Sequence, residues 1–330
     1  MKEPEYQTLV KYKRNALVEQ EHSGIIIHMA ANEILNRVGK DNEYKFYQRS
    51  CMKPLQIAKH IDLGLFDKFG LSLDEIAVCA ASHSGDLIHQ QTVRSVLNKI
   101  GLTESALLCA AQVPLSKKEQ DRLLLNQLEE LPIHNNCSGK HAAMLALCVD
   151  KGWQIENYMD DNHPLTECVI SKVLELSEVK DNDYIKSKDG CGLPTIATTL
   201  RQLGKGFLNL FLSPKYSVIK EAFLSFPYLI GGDGRHDSEI INASQNLVAK
   251  VGAGGLIVVV NIEKEEALVV KIADANMKAR ALVVIEALRQ LKWLSDEQIQ
   301  STPLAKLFDK SIKTLEGESL GQIELDFSII

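Results

Sequence analysis

A serine and a lysine three residues apart, Ser50 and Lys53, lie in Gln48-Arg49-Ser50-Cys51-Met52-Lys53-Pro54, just ahead of an apolar run over residues 55–65. If that run is a helix, both side chains lie on one face of its first turn. A serine hydroxyl becomes a useful nucleophile when a neighbour takes its proton, and a lysine can do so if its amine is neutral. Burial, the cation of Arg49 and the positive end of a helix all disfavour an ammonium at this address. The spacing alone decides nothing, because Ser177–Lys180 and Ser217–Lys220 repeat it in charged surroundings. The rest of the chain must supply the context.

Four further stretches carry polar chemistry at the ends of apolar elements. Ala81-Ser82-His83-Ser84-Gly85 follows the apolar residues 71–80 and precedes helical spacing over 86–100, with Ile88, Val93, Val96 and Ile100 near one stripe. Ser82 and His83 therefore fall at a helix N-terminus, where backbone N–H groups gather. His134-Asn135-Asn136-Cys137-Ser138-Gly139-Lys140-His141 opens an apolar helix over 142–149. It is not a phosphate loop, since His134 stands where the first glycine is required and no Ser or Thr follows Lys140. Lys188-Asp189-Gly190-Cys191-Gly192-Leu193-Pro194 specifies an irregular backbone path, and residues 229–237 form another glycine-rich, charged loop. Gly252-Ala253-Gly254-Gly255 precedes a strand rather than following one, which removes a dinucleotide loop. His83, His134 and His141, read by themselves, are structural hydrogen-bonders at polar loops.

Three strands are expected at the start, over residues 9–14, 16–19 and 24–30, with Ser23-Gly24 as a turn. Residues 42–46 read as a connector. Helices follow over 116–131, 164–178 (proline in its first turn) and 195–203; then strands over 256–262 and 267–272, and a helix over 277–294. Lys271 is the one cation in an apolar strand. It is either a guard at a sheet edge or, in a strand apolar on both faces, a desolvated amine. No repeat, low-complexity tract or linker interrupts the chain, so residues 1–330 are expected to form a single catalytic domain with an intimate sheet–helix core plus a helical part.

The chain has 330 residues, 45% hydrophobic and 24% charged, with formal net charge -6, enough to bury a large core. The mild acidity argues against nucleic acid or an anionic membrane as a partner. The longest apolar runs, residues 142–149 and 256–260, are too short to span a bilayer. Seven cysteines, mostly in apolar runs (Cys79, Cys109, Cys148, Cys168), suit core thiols in a reducing compartment. Met1-Lys2-Glu3-Pro4-Glu5 is polar, without the apolar core of a signal peptide behind it. A cytoplasmic location is the expectation.

The order Ser-x-x-Lys, serine loop, late lysine before a terminal helix is that of serine β-lactamases and penicillin-binding proteins, though no Lys-Thr-Gly stands at Lys271. A closer resemblance is carried by Arg49-Ser50-x-x-Lys53-Pro54-x-Gln56, Ala81-Ser82-His83-x-Gly85, Asn136-Cys137-Ser138-Gly139-Lys140-His141, Asp189-Gly190-Cys191-Gly192-Leu193-Pro194 and residues 231–237. Together these resemble the Rhizobium etli-type L-asparaginases, the asparaginase II family. The resemblance implies hydrolysis of L-asparagine to L-aspartate and ammonia, and a homodimer. It also implies an α/β (α+β layered) fold similar to serine β-lactamases and glutaminases, an antiparallel sheet flanked by helices. Two serine–lysine tandems are implied, Ser50 with Lys53 and Ser82 with Lys271. So is a zinc ion held by Cys137, Lys140 and Cys191. The implied substrate-binding set is Arg49, His83, Cys137, Lys140, Asp189 and Cys191, with Asp189 also supporting the metal and Arg49 tuning the tandem. Two positions depart from the pattern: Gly254 stands where glutamate is expected, and Ser238 where threonine is.

In the expected reaction, neutral Lys53 takes the Ser50 proton, Ser50 attacks the side-chain amide, ammonia leaves, and water releases aspartate from the ester. Backbone N–H groups of Ser50 and the Ser82 loop would receive the oxyanion. Two nearby lysines depress each other's pKa, a physical reason for pairing the tandems. Zinc is weaker on first principles, since distant cysteines without a Cys-x-x-Cys are ordinarily core thiols and lysine must lose a proton to ligate. The rival readings are a penicillin-recognising serine hydrolase and a non-enzymatic zinc-binding protein.

Overall fold

The computed structural model describes residues 2–31, 33–180 and 182–329. Its strands are β1 (Gln7–Arg14), β2 (Leu17–Met29), β3 (Ile34–Val38), β4 (Phe46–Tyr47), β5 (Ile185–Lys188), β6 (Pro194–Thr198), β7 (Leu247–Gly252), β8 (Leu256–Asn261), β9 (Glu266–Ile272), β10 (Ser311–Lys313) and β11 (Ser319–Leu325). Among the described residues an eight-stranded sheet runs β10-β11-β1-β2-β9-β8-β7, with β3 also on β2, and a small sheet runs β4-β6-β5. Every pairing is antiparallel. The architecture is the expected mixed α/β one, an antiparallel sheet flanked by helices.

β7 and β8 are buried at every residue and β9 nearly so, because helices cover both faces of this part of the sheet. Sequences such as Leu256-Ile257-Val258-Val259-Val260 are therefore continuously apolar rather than alternating. The helix Leu200–Phe211 packs on β8 and β9, and the helix Met277–Gln290 packs on β1, β8 and β9. The 3-10 turn Arg49–Met52, which carries Ser50, rests on β7 and β8. The site is thus built on the fully buried part of the sheet. No helix among the described residues is long and apolar enough to cross a membrane.

Two local expectations are corrected. Ser23-Gly24 is not a turn but lies inside the continuous strand β2; the reversal occurs at Asn15, whose φ is 52°. Gly24 is needed for close approach, since a methyl there would lie 2.6 Å from the Lys271 carbonyl oxygen and 2.8 Å from Leu9 Cδ1. Residues 195–203 are not one helix. Thr195, Ile196 and Thr198 favour β6, and the helix begins at Leu200 because Thr199 and Gln202 form a capping box. The connector at 42–46 also ends in the short strand β4.

Because Gly24 is packed against backbone, Gly24→Ala should lower the unfolding free energy by about 2 kcal/mol or more, and Ser23→Ala by less than about 0.5 kcal/mol. Urea denaturation of the two variants checks this; a neutral Gly24→Ala would return the segment to a turn.

Candidate active site

Ser50 is presented by a strained entry into a helix. Gln48 follows β4, with its N–H on the Ile196 carbonyl at 2.9 Å, and Arg49 adopts φ 50°, a conformation that is costly for a side chain with Cβ and recurs at functional sites. The 3-10 turn then passes into the helix Lys53–Asp62, with Pro54 in its first turn, where a missing N–H costs nothing. The Arg49 guanidinium is held by the Asp189 carboxylate (Nε to Oδ1, 2.6 Å), which also accepts from Gly190 N–H at 2.9 Å.

The second serine arrives on the loop after the helix Leu73–Cys79. Ser82 N–H donates to Ile230 O at 3.0 Å, and Ser84 Oγ donates to Gly231 O at 2.8 Å, so this loop and the 231–237 loop are fastened together. His83 fixes its inner side. Gly85 N–H donates to His83 Nδ1 at 3.2 Å, leaving the proton on Nε2, which donates to Ser138 Oγ at 3.0 Å. Ser138 passes its own proton to Ile133 O. Burial, then His89 and the surrounding cations, hold His83 well below the usual imidazole range, so it is neutral. It is a structural hydrogen-bonder.

These supports bring the two hydroxyls together: Ser82 Oγ donates to Ser50 Oγ at 3.2 Å, and Asn136 Nδ2 reaches Ser82 Oγ at 3.5 Å. Lys53 is fully buried below them. Its Nζ donates to Ala81 O at 2.6 Å and Asn136 O at 3.3 Å, the carbonyls preceding Ser82 and Cys137. Burial lowers its pKa; the charges of Lys140 and Lys250 act in the same direction against the two nearby cysteines.

Lys271 does not join this group. It is only partly buried on β9, its Nζ donates to Ile272 O at 2.7 Å, and it lies 5.9 Å from the centre of the Phe46 ring. β8 separates it from β7, and it does not line the cavity that holds the serines. The buried lysine that acts on Lys53 and His83 is Lys250 on β7. Its Nζ lies 2.9 Å from Asp237 Oδ2 and donates to Val251 O at 3.2 Å; Asp237 also accepts Val251 N–H at 3.2 Å. Burial works to raise the Asp237 carboxyl, but Lys250 and Arg235 outweigh it and bring it to about 2. Lys250 was signalled in the sequence as Lys271 was, by one cation among apolar neighbours, Leu247-Val248-Ala249-Lys250-Val251.

Cys137, Lys140 and Cys191 do come together. Cys137 Sγ donates to Asn136 Oδ1 at 3.2 Å, and its thiol is pushed up first by the neighbouring Cys191 and then by burial. Cys191 is pulled far down by its interaction with Cys137 first, against its burial, and then by Lys140 and His141. Burial would lower Lys140, but Cys191, Cys137 and Asp189 together raise it; its Nζ is 3.9 Å from Asp189 Oδ2. All seven cysteines are free. His141, the third histidine of the cluster, binds Tyr158 OH through Nδ1 at 2.6 Å, which leaves its Nε2 to face Cys191. Among the described residues no three His, Cys, Asp or Glu side chains gather as a metal site, so an ion at this trio requires the Lys140 amine as a donor.

A cavity of about 330 Å³ opens onto the two serines and is lined also by Asn136, Arg235, Val251 and Arg280. Of the expected site residues, only Ser50 and Ser82 face it. Lys53 and the cysteine–lysine trio are buried; sequence reasoning missed Lys250 and Arg280, and placed Asn136, Arg235 and Asp237 in its motifs without giving them a site role.

Fold and site together describe a mixed α/β protein with a buried serine–lysine centre. The chain belongs to the L-asparaginase II family, which it matches over residues 10–325. A search of curated proteins finds no match. Among solved structures, a β-lactamase from Mycobacterium bovis is similar with a TM-score of 0.43 and 16% identity, covering 82% of this chain and 95% of that one. A putative β-lactamase from Bacteroides dorei DSM 17855 is similar with a TM-score of 0.42 and 12% identity, covering 80% and 92%.

Removing one partner of the Lys250–Asp237 pair should leave a buried charge. Asp237→Asn is expected to cost about 3 kcal/mol at neutral pH. Because the native carboxyl lies below its unfolded value, its contribution is complete above about pH 4 and fades as pH falls toward 2. Urea denaturation from pH 7 to pH 3 checks both parts, and a difference that does not narrow below pH 4 contradicts them.

Proposed function

We propose that this protein is an L-asparaginase of the Rhizobium etli type, hydrolysing L-asparagine to L-aspartate and ammonia through an ester on Ser50. The observation that carries the reading is the Ser82 Oγ to Ser50 Oγ hydrogen bond of 3.2 Å, with a buried lysine of lowered pKa holding the carbonyl that precedes Ser82, in a chain of the L-asparaginase II family. A hydrogen bond donated by Ser82 leaves the Ser50 oxygen as acceptor, so the Ser50 proton must go elsewhere. Neutral Lys53 is the base for it. Ser50 then attacks the amide carbon, ammonia departs with a proton returned from the lysine, and water cleaves the ester.

The expected second tandem pairs Ser82 with Lys271, which lies outside the serine cavity. Lys250, paired with Asp237, is a further lysine whose charge disfavours protonation of Lys53. Ser82 N–H is already spent on Ile230 O, which removes it as an oxyanion donor. The donors that remain are Ser50 N–H, ahead of the first turn bond from Cys51 N to Gln48 O, and Asn136 Nδ2.

Two neighbouring sulfurs, Cys191 held low by its surroundings, suit a soft divalent ion, and His141 beside Cys191 shares in stabilising that sulfur. Cys137, Cys191 and Lys140 would hold zinc, and Asp189 would orient Lys140. Bound there, zinc would supply a Lewis acid that fixes a substrate polar group. A homodimer and a cytoplasmic location belong to the same proposal.

Ammonia release from L-asparagine tests the reaction. Ser50→Ala and Lys53→Met are each expected to lose about 10³-fold or more in kcat; near-full activity in Ser50→Ala with loss in Ser82→Ala reverses the serine roles. Since Lys53 must be neutral, kcat/KM should rise with pH and level off below the ordinary lysine value of 10.5. A rise that continues through that value contradicts a lowered Lys53. Metal analysis of the purified protein should find zinc, lost in Cys137→Ser; zinc no higher than background removes the ion from the account.

A further inference from the structure

The cavity above the serines has a charge pattern that the reaction itself does not use. Two guanidiniums, Arg235 and Arg280, line it, and no carboxylate does. Arg280 is buried and fixed from behind, with Nη1 on Gly252 O at 3.0 Å and Leu256 O at 3.4 Å and Nε on His236 Nδ1 at 3.3 Å. Backbone carbonyls and an imidazole hold its orientation but do not neutralise it. Burial, the first influence, lowers its pKa, yet a guanidinium remains charged.

Arg235 is half-buried at the cavity wall, and among the described residues no hydrogen bond or ion pair engages its side chain. Its backbone is tightly held: Arg235 N–H donates to Gly232 O at 3.3 Å, Gly232 N–H to Ser238 Oγ at 3.1 Å, and Gly234 N–H to Glu239 Oε1 at 2.9 Å. Ser84 Oγ on Gly231 O ties the same loop to the Ser82 loop. The carboxylates of the following helix are already committed, Asp237 to Lys250 and Glu239 to Gly234. Arg49, the other arginine near Ser50, is committed to Asp189.

Arg235 feels the Asp237 charge but makes no hydrogen bond or ion pair with it, and a guanidinium left without a hydrogen-bonded partner at the wall of a small cavity is a carboxylate receptor, since its fork matches two carboxylate oxygens. We propose that Arg235, backed by Arg280, binds a free carboxylate of the substrate and so restricts the site to small amides that carry one. This rests on the amide-hydrolase reading for which end of the ligand meets Ser50. An asparagine whose carboxylate is blocked, as within a peptide or as its α-amide, would be excluded for want of a partner to the arginine.

The test separates binding from turnover. Ser50→Ala protein is titrated calorimetrically with succinamate, a small amide bearing one free carboxylate, and with succinamide, its uncharged counterpart. Succinamate is expected to bind about 30-fold tighter or more, with affinity that weakens as salt is raised while that of succinamide does not. Adding Arg235→Gln should erase the preference, and Arg235→Lys should keep part of it. The salt comparison needs no change at Arg235, so it stands even if those variants fail to fold. Equal binding, binding of neither ligand, or a preference that survives Arg235→Gln in folded protein overturns the proposal. A clear succinamate preference in a protein that releases no ammonia from asparagine would instead overturn the hydrolase reading and leave the carboxylate site standing.

Discussion

Lys53, Lys140 and Lys250 are buried within one another's electrostatic reach, with at most 1% of each exposed. Removing an ammonium from water costs several kcal/mol even after the protein relaxes, and three such groups also repel. Each finds a different solution. Lys250 keeps its charge against Asp237. Lys140 keeps its charge against Asp189 and the Cys191 thiolate. Lys53 has two backbone carbonyls as its hydrogen-bond partners, and its pKa is lowered. Burial does most of this, and the cations Lys140 and Lys250 push the same way.

The fold maintains this arrangement by anchoring each lysine to a different element. Lys53 begins the helix after the Ser50 turn, Lys140 lies in the first turn of the helix Ser138–Lys151, and Lys250 sits on β7. No single backbone movement can separate them without breaking the packing between sheet and helices. Gly139 shows how close that packing is: a methyl there would lie 2.1 Å from the Val78 carbonyl oxygen. The helix that carries Lys140, capped by Cys137, can approach the helix leading to the Ser82 loop only because that residue has no side chain.

Much of this was legible from residue types and order. The Ser50–Lys53 spacing at a helix start, the Ser82 loop and the cysteine–lysine motifs were found because each is a polar cluster ending an apolar element. The choice between Lys250 and Lys271 was not legible. Both are single cations in apolar strands, and the two lie on strands separated by β8; only the packing of the Ser50 turn on β7, with Cys51 Sγ donating to Lys250 O at 3.2 Å, shows which one adjoins it. Gly24 was misread for a related reason, since a glycine admitting a neighbouring strand and a glycine making a turn look alike in sequence. Arg235 escaped notice because a charged residue in a glycine-rich loop is ordinarily solvated, and nothing local shows that it faces a cavity.

The central claim is that Ser50, activated by a neutral Lys53, carries the acyl group. Rapid mixing of the protein with L-asparagine, followed by acid quench and peptide mapping by mass spectrometry, addresses it most directly. A β-aspartyl group on the peptide bearing Ser50, absent in Lys53→Met, is the predicted result. The same group on Ser82 or Cys137, or turnover with no acyl adduct under any quench time, would contradict it.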